Sequence, residues 1–314
     1  DVVSKMAHIP SRSATKSDLS LLKNLEKNMQ KRVFGQDKAI NSIVQAIKIN
    51  KAGLGVDKKP IGSFLFTGPT GVGKTEVAKE LALQMGIHFE RFDMSEYMEA
   101  HAVSRLIGAP AGYVGFEQGG LLTEAIRKHP HTVLILGEIE QAHPYLMSMV
   151  LQVMDNVELT DKSGNKADFQ NVVLIMTSNL GVSEANVMGF AKNDKLNENR
   201  AINKFFAPEF RNRLDCVVSF DSLSLDIVSK VAGKFIEDLE KQLESKKIKI
   251  EISKKAKDEL AKLGYDKAMG ARPLNRVISE KIKKPLTDEI LFKKKKKGGV
   301  VKIDFKDDFV FIYE

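Results

Sequence analysis

The residues from Gly68 to Thr75 follow a pattern that binds phosphate groups. Gly68, Gly73, Lys74 and Thr75 occupy the fixed positions of the motif G-x-x-x-x-G-K-[ST]. The glycines let the backbone curl around phosphates, the lysine adds a positive charge beside them, and the threonine hydroxyl can hold Mg²⁺. A glycine-rich turn without a ligand is the alternative interpretation of this segment.

The segments on both sides of this loop favour the phosphate-binding interpretation. Residues 63–67 form a short apolar run suited to a buried strand, and apolar residues recur at helical spacing from Val77 to Met85, before Gly86. A helix that starts at the loop directs its first N–H groups and its positive dipole end toward the phosphates. The residues predicted to contact the nucleotide phosphates are Gly71, Val72, Gly73, Lys74 and Thr75.

Composition describes an ordinary globular chain. Hydrophobic residues make up 43% and charged residues 29% of 314 residues, and no apolar stretch has the roughly 20 residues that a membrane span needs. The single cysteine cannot form an internal disulfide bond. The net charge is +8, and five of the positive charges lie in the run 293–297. Such a run can bind nucleic acid, but its position beside two short strand-like runs favours a solvated loop.

Apolar runs divide the chain into regions. The polar residues 1–16 are expected to be a linker from a preceding module, and residues 17–220 are expected to form a large nucleotide-binding domain. There, strand-like runs at 63–67, 88–92, 132–136, 172–177 and 216–220 alternate with helical patterns. This alternation predicts an α/β fold, a parallel sheet with helices on both faces, with ligands at the carboxyl ends of the strands. Residues 221–314 are expected to form a smaller, mostly helical lid domain that ends in a β-hairpin.

The strand at 132–136 is followed by Gly137 and Glu138. Phosphate-loop enzymes usually place two acidic residues here, one that supports Mg²⁺ and one that activates the attacking water. Glu138 can be the base, whereas Gly137 has no side chain with which to support a metal. Asn179 follows the strand at 172–177 and can orient the water, although Asn is also a common turn or cap residue.

Two arginines are candidates for contact with the terminal phosphate. Arg213 precedes the last strand of the large domain, and Arg272 lies in the expected lid. An arginine that approaches this phosphate stabilises the charge of the transition state, and another chain can supply it. Without further context, a surface ion pair is the commoner role for each.

Together these motifs resemble the Clp-type AAA+ unfoldases, in the order found in that family. The resemblance covers nearly the whole chain and is closest to the second ATPase module of ClpA-like proteins. It rests on the loop 68–75, on Leu136-Gly137-Glu138 and Thr177-Ser178-Asn179, on the segments 91–97, 104–108 and 208–213, and on Gly270-Ala271-Arg272-Pro273.

The resemblance implies ATP or ADP with Mg²⁺ as cofactors, and a homo-hexameric ring. It implies that Val33 and Phe34 flank the adenine, that Asn179 senses the terminal phosphate and that Arg272 couples the lid to the nucleotide. Arg213 would reach the nucleotide of the neighbouring subunit. The family has Asp where this chain has Gly137, and Lys where it has Gln141.

The resemblance also implies roles in substrate handling. Tyr113 and Val114, between Gly112 and Gly115, match the loop that grips polypeptide in the central pore, and a second polar loop at about 158–168 would face the same channel. A tight turn with a packed tyrosine is the alternative. Met188, Gly189 and Phe190 match the tripeptide that docks on the ClpP peptidase ring. An exposed apolar pair on a polar loop suits such docking, and a loop folded onto its own domain is the alternative.

The leading hypothesis is therefore a cytoplasmic AAA+ ATPase module that unfolds and translocates unfolded or tagged proteins toward a ClpP-like peptidase. One alternative is a nucleotide-binding and docking module whose hydrolysis is impaired by Gly137. A nucleic-acid motor or loader is another, against which Tyr113 and the tripeptide 188–190 argue. We expect no specific nucleic acid and no membrane among the partners.

Overall fold

The computed structural model describes residues 16–56, 58–108, 119–180, 194–266, 269–292 and 299–313. By their internal contacts, these residues divide into two compact units. The first unit comprises the described residues up to Lys31, together with those of Gln36–Gly68 and Gly73–Phe220. The second comprises Arg32–Gly35, Pro69–Val72 and the described residues from Asp221 onward.

The first unit contains seven strands within its described residues, and helices connect most of them. The strands are β1 Gly62–Thr67, β2 His88–Asp93, β3 Thr132–Gly137, β4 Glu158–Thr160, β5 Lys166–Asp168, β6 Val172–Thr177 and β7 Cys216–Ser219. The α-helices are α1 Lys16–Gln30, α2 Asp37–Ile49, α3 Lys74–Met85, α4 Ala100–Ile107, α5 Leu121–Lys128, α6 Pro144–Asn156, α7 Asp194–Phe205 and α8 Pro208–Arg213. Across the described ranges of the chain, no helix is both long and apolar enough to cross a membrane.

Five of these strands form one parallel sheet in the order β2-β3-β6-β1-β7. Every residue of β1, β3 and β6 is buried, which explains why these strands read as continuous apolar runs rather than alternating ones. The expected α/β fold with a parallel sheet is therefore confirmed.

The register of the sheet brings three chain segments to the same edge. In β3 and β6, Leu136 lies opposite Met176, and in β1 and β6, Phe66 lies opposite Thr177. Because the strands are parallel, the residues that follow them emerge side by side at their carboxyl ends. The segments after β1, β3 and β6 are the ones that carry the predicted chemical motifs.

The second unit contains a three-stranded sheet in the order β10-β9-β8. The sequence prediction of a closing hairpin is confirmed by β9 and β10, but a strand within the region expected to be mostly helical was missed. This strand, β8, runs parallel to β9, and its isoleucines alternate with Lys249 and Glu251 as a half-buried strand requires. The elements are α9 Leu225–Gln242, β8 Ile248–Ile252, α10 Lys254–Gly264, α11 Leu274–Ile278, α12 Lys284–Phe292, β9 Gly299–Phe305 and β10 Phe309–Tyr313.

Candidate nucleotide site

The phosphate-binding loop begins at a backbone position that only glycine can occupy without strain. Gly68 directly follows β1 and has a φ of +126°. A Cβ atom at this position would lie 2.4 Å from the carbonyl oxygen of Phe220. Both the left-handed backbone and this close approach exclude a side chain. The fold itself thus requires the first glycine of the motif.

Lys74 is the first residue of α3 and is only 9% exposed. Its Nζ donates hydrogen bonds to the carbonyl oxygen of Gly68 at 2.5 Å and to Oδ1 of Asn179 at 2.8 Å. A buried ammonium group is tolerated when such acceptors compensate for the loss of water. The structure therefore brings together the loop lysine and the predicted sensor asparagine, from the carboxyl ends of two neighbouring strands.

Asn179 is held in place by a residue to which sequence reasoning assigned no role. The backbone N–H of Asn179 donates to Oε1 of Glu140 at 2.9 Å. Glu140 lies in the short 3₁₀ segment after β3, so it connects the ends of β3 and β6. In the sequence, the only indication of a role for Glu140 was its position in the acidic segment that contains Glu138. That segment gave no reason to choose Glu140 as a residue that positions Asn179.

Glu138 lies at the carboxyl end of β3 in a left-handed conformation, with a φ of +53°. Its backbone N–H donates to Oγ1 of Thr177 at 3.2 Å, which ties it to the end of β6. Its carboxylate oxygen Oε2 accepts from Nε2 of Gln141 at 2.5 Å. A left-handed conformation is unusual for glutamate and costs about 1–3 kcal/mol. The backbone thus holds the predicted base in a strained and specific orientation.

Gly137 differs from Gly68 because nothing around it requires glycine. It is the last residue of β3, is buried and lies opposite Asp93 of β2. A Cβ atom built at this position would lie 3.7 Å from the nearest atoms of Arg91 and Asp93, which is ordinary van der Waals contact. These two neighbours form an ion pair with a separation of 2.7 Å. The position could therefore accept an aspartate, although its carboxylate would be placed near that of Asp93.

Thr75 and Glu138 supply oxygen atoms of the kind that Mg²⁺ prefers. Thr75 is the second residue of α3 and is half-buried. In the described part of the chain, no three or more His, Cys, Asp or Glu side chains are arranged to hold a metal ion. Mg²⁺ at phosphate sites is usually held by one or two protein groups, waters and the phosphates themselves. The donors present fit that kind of site, with no contribution from position 137.

Within the second unit, the middle of the phosphate-binding loop packs against the segment before α11. The N–H of Ala271 donates to the carbonyl oxygen of Gly71 at 3.1 Å. A Cβ atom at Gly71, whose φ is +72°, would lie 2.0 Å from the carbonyl oxygen of Met269. Arg272 follows directly, with an exposed side chain and its own N–H bonded to Met269. The predicted lid arginine is therefore adjacent in sequence to a residue that contacts the loop.

Val33 and Phe34, the predicted adenine neighbours, also belong to the second unit. Val33 is buried and Phe34 is half-buried. The next residue, Gly35, has a φ of +76°, and a Cβ atom there would lie 2.9 Å from the side chain of Ile227 on α9. Close packing against α9 therefore fixes this segment.

Arg213 is the last residue of α8, and its Nη1 lies 2.6 Å from Oδ1 of Asp155 on α6. Both side chains are partly exposed, so this ion pair contributes about 0–1 kcal/mol to stability. Tyr113 and Val114, and also Met188, Gly189 and Phe190, lie outside the described residues.

Family models match two consecutive parts of the chain. Residues 59–217 match the AAA domain of the Cdc48 subfamily, and residues 223–303 match the C-terminal, D2-small domain of ClpB protein. The chain belongs to the Clp-type AAA+ ATPases. The resemblance deduced from the motifs is thereby confirmed.

Similar proteins are found among bacterial relatives of this AAA+ module. It is 53% identical over 314 residues to the ClpA homolog protein of Fuscovulum blasticum, covering 99% of the chain and 40% of that protein. It is 46% identical over 299 residues to the chaperone protein ClpB of Enterococcus faecalis, covering 92% of the chain and 34% of that protein. The module thus spans well under half the length of these relatives.

A further relative and a solved structure agree with this assignment. The AAA+ module is 42% identical over 297 residues to the ATP-dependent Clp protease ATP-binding subunit ClpE of Streptococcus pneumoniae, covering 92% of the chain and 40% of that protein. A cryo-EM reconstruction of the closed state of Hsp104 with ATPγS and FITC casein matches with a TM-score of 0.87 and 33% identity. That match covers 99% of the module and 54% of the Hsp104 chain.

Proposed function

We propose that this AAA+ module hydrolyses ATP to unfold and translocate proteins. The observation that carries the proposal is the position of Lys74, whose buried Nζ lies between Gly68 and Asn179 at the ends of β1 and β6. An ammonium group held there can exchange these neutral acceptors for phosphate oxygens. Such an exchange would let Asn179 respond to the presence of the terminal phosphate.

Each residue at the ends of the strands has a role in this proposal. Lys74 binds the β and γ phosphates, Asn179 orients the attacking water and Glu138 accepts its proton. Thr75 would hold Mg²⁺, which supplies positive charge against the developing negative charge of the phosphates when it is bound. Glu140 positions Asn179 through its backbone N–H.

We propose that the active site is shared between subunits of a homo-hexamer. Arg213 would leave its partner Asp155 and contact the nucleotide of the adjacent subunit, where a cation can contribute about 10³–10⁵-fold to the rate. Arg272 would report nucleotide state to residues 221–314, which we propose act as the lid of the large domain at 17–220. Val33 and Phe34 would flank the adenine. These roles, and a cytoplasmic location, rest on resemblance to the family.

Substrate handling is proposed from the family resemblance and from the relatives. Tyr113 and Val114 would grip an unfolded or tagged polypeptide, and Met188, Gly189 and Phe190 would dock on a ClpP-like peptidase. The Hsp104 reconstruction with FITC casein supports a polypeptide substrate. The relative named as the ATP-binding subunit of a Clp protease supports a peptidase partner.

A second candidate function is favoured by Gly137. A module that binds ATP, assembles and docks partners, but turns over slowly, would need the loop from Gly68 to Thr75 and would not need an acidic residue at 137. Loss of a group that supports a metal site typically reduces metal affinity or activity by about 10–100-fold. The two candidates therefore differ in turnover and agree in nucleotide affinity.

The decisive experiment measures nucleotide affinity and steady-state hydrolysis of ATP with Mg²⁺ on the same sample, together with unfolding of a fluorescent protein. Tight binding with turnover and unfolding supports the motor. Tight binding with neither turnover nor unfolding supports the docking module. Absence of nucleotide binding would contradict both.

Mixed assemblies test the shared site. Lys74→Ala and Arg213→Ala subunits are each expected to be inactive, whereas mixing them should restore part of the activity, because some interfaces then contain both an intact loop and an intact arginine. Asp155→Asn is the matched control, since it removes the ion pair within the chain and keeps Arg213. Inactivity of all mixtures would contradict a site shared between subunits.

A further inference from the structure

Asp161 is a buried aspartate in the turn of the hairpin formed by β4 and β5, outside the nucleotide site. It is 5% exposed, and its carboxylate accepts five hydrogen bonds from four residues. Buried carboxylates are rare unless they are compensated in this way. Full compensation of this kind fixes the geometry of all the groups that donate to the carboxylate.

The two oxygens of this carboxylate have different partners. Oδ1 accepts from the backbone N–H groups of Ser163 at 3.0 Å and Asn165 at 2.8 Å, so it closes the turn of its own hairpin. Oδ2 accepts from Nδ2 of Asn165 at 3.0 Å, and also reaches another part of the chain. There it accepts from the backbone N–H of Gly120 at 3.2 Å and from Oγ1 of Thr123 at 3.0 Å. One side chain therefore joins the hairpin turn to the start of α5.

The end of α4 is joined to the same turn. The N–H of Lys162 donates to the carbonyl oxygen of Ile107, the last residue of α4, at 3.2 Å. A Cβ atom at Gly108, whose φ is +88°, would lie 3.4 Å from the N atom of Lys162 and 3.5 Å from that of Gly120. The described residues that precede and follow the stretch 109–118 thus lie side by side, both against the turn that contains Asp161.

The charge on Asp161 is maintained by its donors. Burial by itself would raise the pKa of this carboxyl, but the hydrogen bonds from Asn165, Gly120 and Thr123 outweigh burial and hold the pKa below its ordinary value. Asp161 is therefore ionised at neutral pH, and each of its hydrogen bonds is charge-assisted and correspondingly strong.

We propose that Asp161 is a positioning residue that holds Gly120 and the start of α5 beside Gly108 and against the turn of the hairpin β4–β5, and that substrate binding depends on this arrangement. The proposal rests on the proposed function, because Tyr113 and Val114 lie in the stretch 109–118.

Asp161→Asn selectively weakens this connection. The asparagine amide has two possible orientations. In either one, its NH₂ group replaces a carboxylate oxygen that accepted hydrogen bonds, and it therefore faces N–H donors. The Thr123 hydroxyl can rotate to accept a hydrogen bond, so the NH₂ is best accommodated on the side of Oδ2. The N–H of Gly120 and Nδ2 of Asn165 then lose their acceptor, whereas the backbone N–H groups of Ser163 and Asn165 keep the acceptor at Oδ1. Glu124→Gln is the matched control, because it removes an exposed carboxylate from α5, next to Thr123 and outside both loops.

Amide hydrogen exchange and substrate binding are measured on the same variants. In Asp161→Asn, we expect the Gly120 amide to exchange about tenfold faster, as loss of one charge-assisted hydrogen bond implies, with Ser163 and Asn165 unchanged. Affinity for fluorescein-labelled, reduced and carboxymethylated α-lactalbumin should fall by a similar factor, with ATP affinity unchanged. Glu124→Gln should match the parent chain in every measurement.

Thr123→Val provides a milder second variant that keeps the carboxylate and the side-chain volume. It should accelerate exchange at Gly120 and weaken binding in the same direction by a smaller factor. Unchanged exchange at Gly120 in Asp161→Asn would overturn the proposal, as would unchanged binding of the labelled protein. If the parent chain itself fails to bind that protein, the proposed function fails, and the exchange measurement still decides whether Asp161 holds Gly120.

Discussion

The candidate site contains two glycines, Gly68 and Gly137, and each is a glycine for a different reason. Gly68, after β1, has a φ of +126° and no room for a Cβ atom beside Phe220. Gly137, at the end of β3, has ordinary contacts at 3.7 Å around the Cβ position. The fold requires the first glycine and merely tolerates the second.

This difference separates the two halves of the site. The half that contains Gly68 depends on backbone shape, which the packing of the sheet and the loop determines, so it cannot change without a large loss of stability. The half that we propose supports the metal and the water depends on side chains at the end of β3, and these can change while the strand remains intact. Nucleotide binding and nucleotide turnover can therefore vary independently in this fold.

The largest expected effect is the loss of stability on replacing Gly68. In Gly68→Ala, the free energy of unfolding should fall by about 4 kcal/mol, because a strained backbone and overpacking each cost about 1–3 kcal/mol. Gly86→Ala is the control: Gly86 caps α3 with a φ of +66°, and apart from its chain neighbours no residue approaches the Cβ position within 4 Å, so this variant should lose only about 1 kcal/mol. Urea unfolding measures both, and equal losses would show that close approach to Phe220 is unimportant.

Lys74→Ala tests the half that contains Gly68 through the charge of the lysine. Affinity for a fluorescent ATP analogue should fall by about 100-fold, since a charge-assisted hydrogen bond to phosphate contributes about 1.5–3 kcal/mol. Lys79→Ala removes an exposed lysine from the same helix and should leave the affinity as it was. A similar loss in both variants would indicate that the overall charge of α3 matters rather than the buried position of Lys74.

Residues that obey a strong local rule could be predicted from the sequence. The loop from Gly68 to Thr75 has fixed spacing. The strands β1, β3 and β6 are mostly apolar because both faces of a central parallel strand are buried. The expected strand positions are confirmed to within a residue or two at each end. The strand β8 was missed although its alternation was visible, because the many Lys and Glu residues around it suggested a continuous helical region.

Contacts between segments distant in sequence could not be predicted. The bond between Glu140 and the N–H of Asn179, and the joining of Gly120 to Asp161, depend on which strand ends and loops the fold places together. The residues of the loop at 158–168 were expected to be polar, but nothing local distinguished Asp161 from its neighbours. The roles of Val33, Phe34, Arg213 and Arg272 stay predictions, as do those of the residues outside the described ranges.

Gly137→Asp would sharpen the comparison by restoring the missing side chain. Steady-state hydrolysis should rise by about 10–100-fold, with nucleotide affinity changed much less. Gly137→Ala, which adds only the Cβ atom, should give no gain. Addition of Glu138→Gln should abolish any gain if Glu138 is the base. Equal rates for the aspartate variant and the parent chain would show that position 137 does not limit turnover.

The smallest expected effect concerns Asp161, a carboxylate that the fold does require. Since the pKa of Asp161 is lower in the folded state than its ordinary value of 3.8, its ionised form stabilises the fold fully above that value. This stabilisation is lost as the pH falls through the lower, folded pKa. The charged group that faces this network from α5 is Arg127, whose Nη1 donates to Oδ1 of Asn165 at 3.1 Å. We therefore expect the difference in unfolding free energy between the parent chain and Asp161→Asn to shrink as the pH is lowered below about 4, whereas a difference independent of pH would show that the charge of Asp161 does not stabilise the turn.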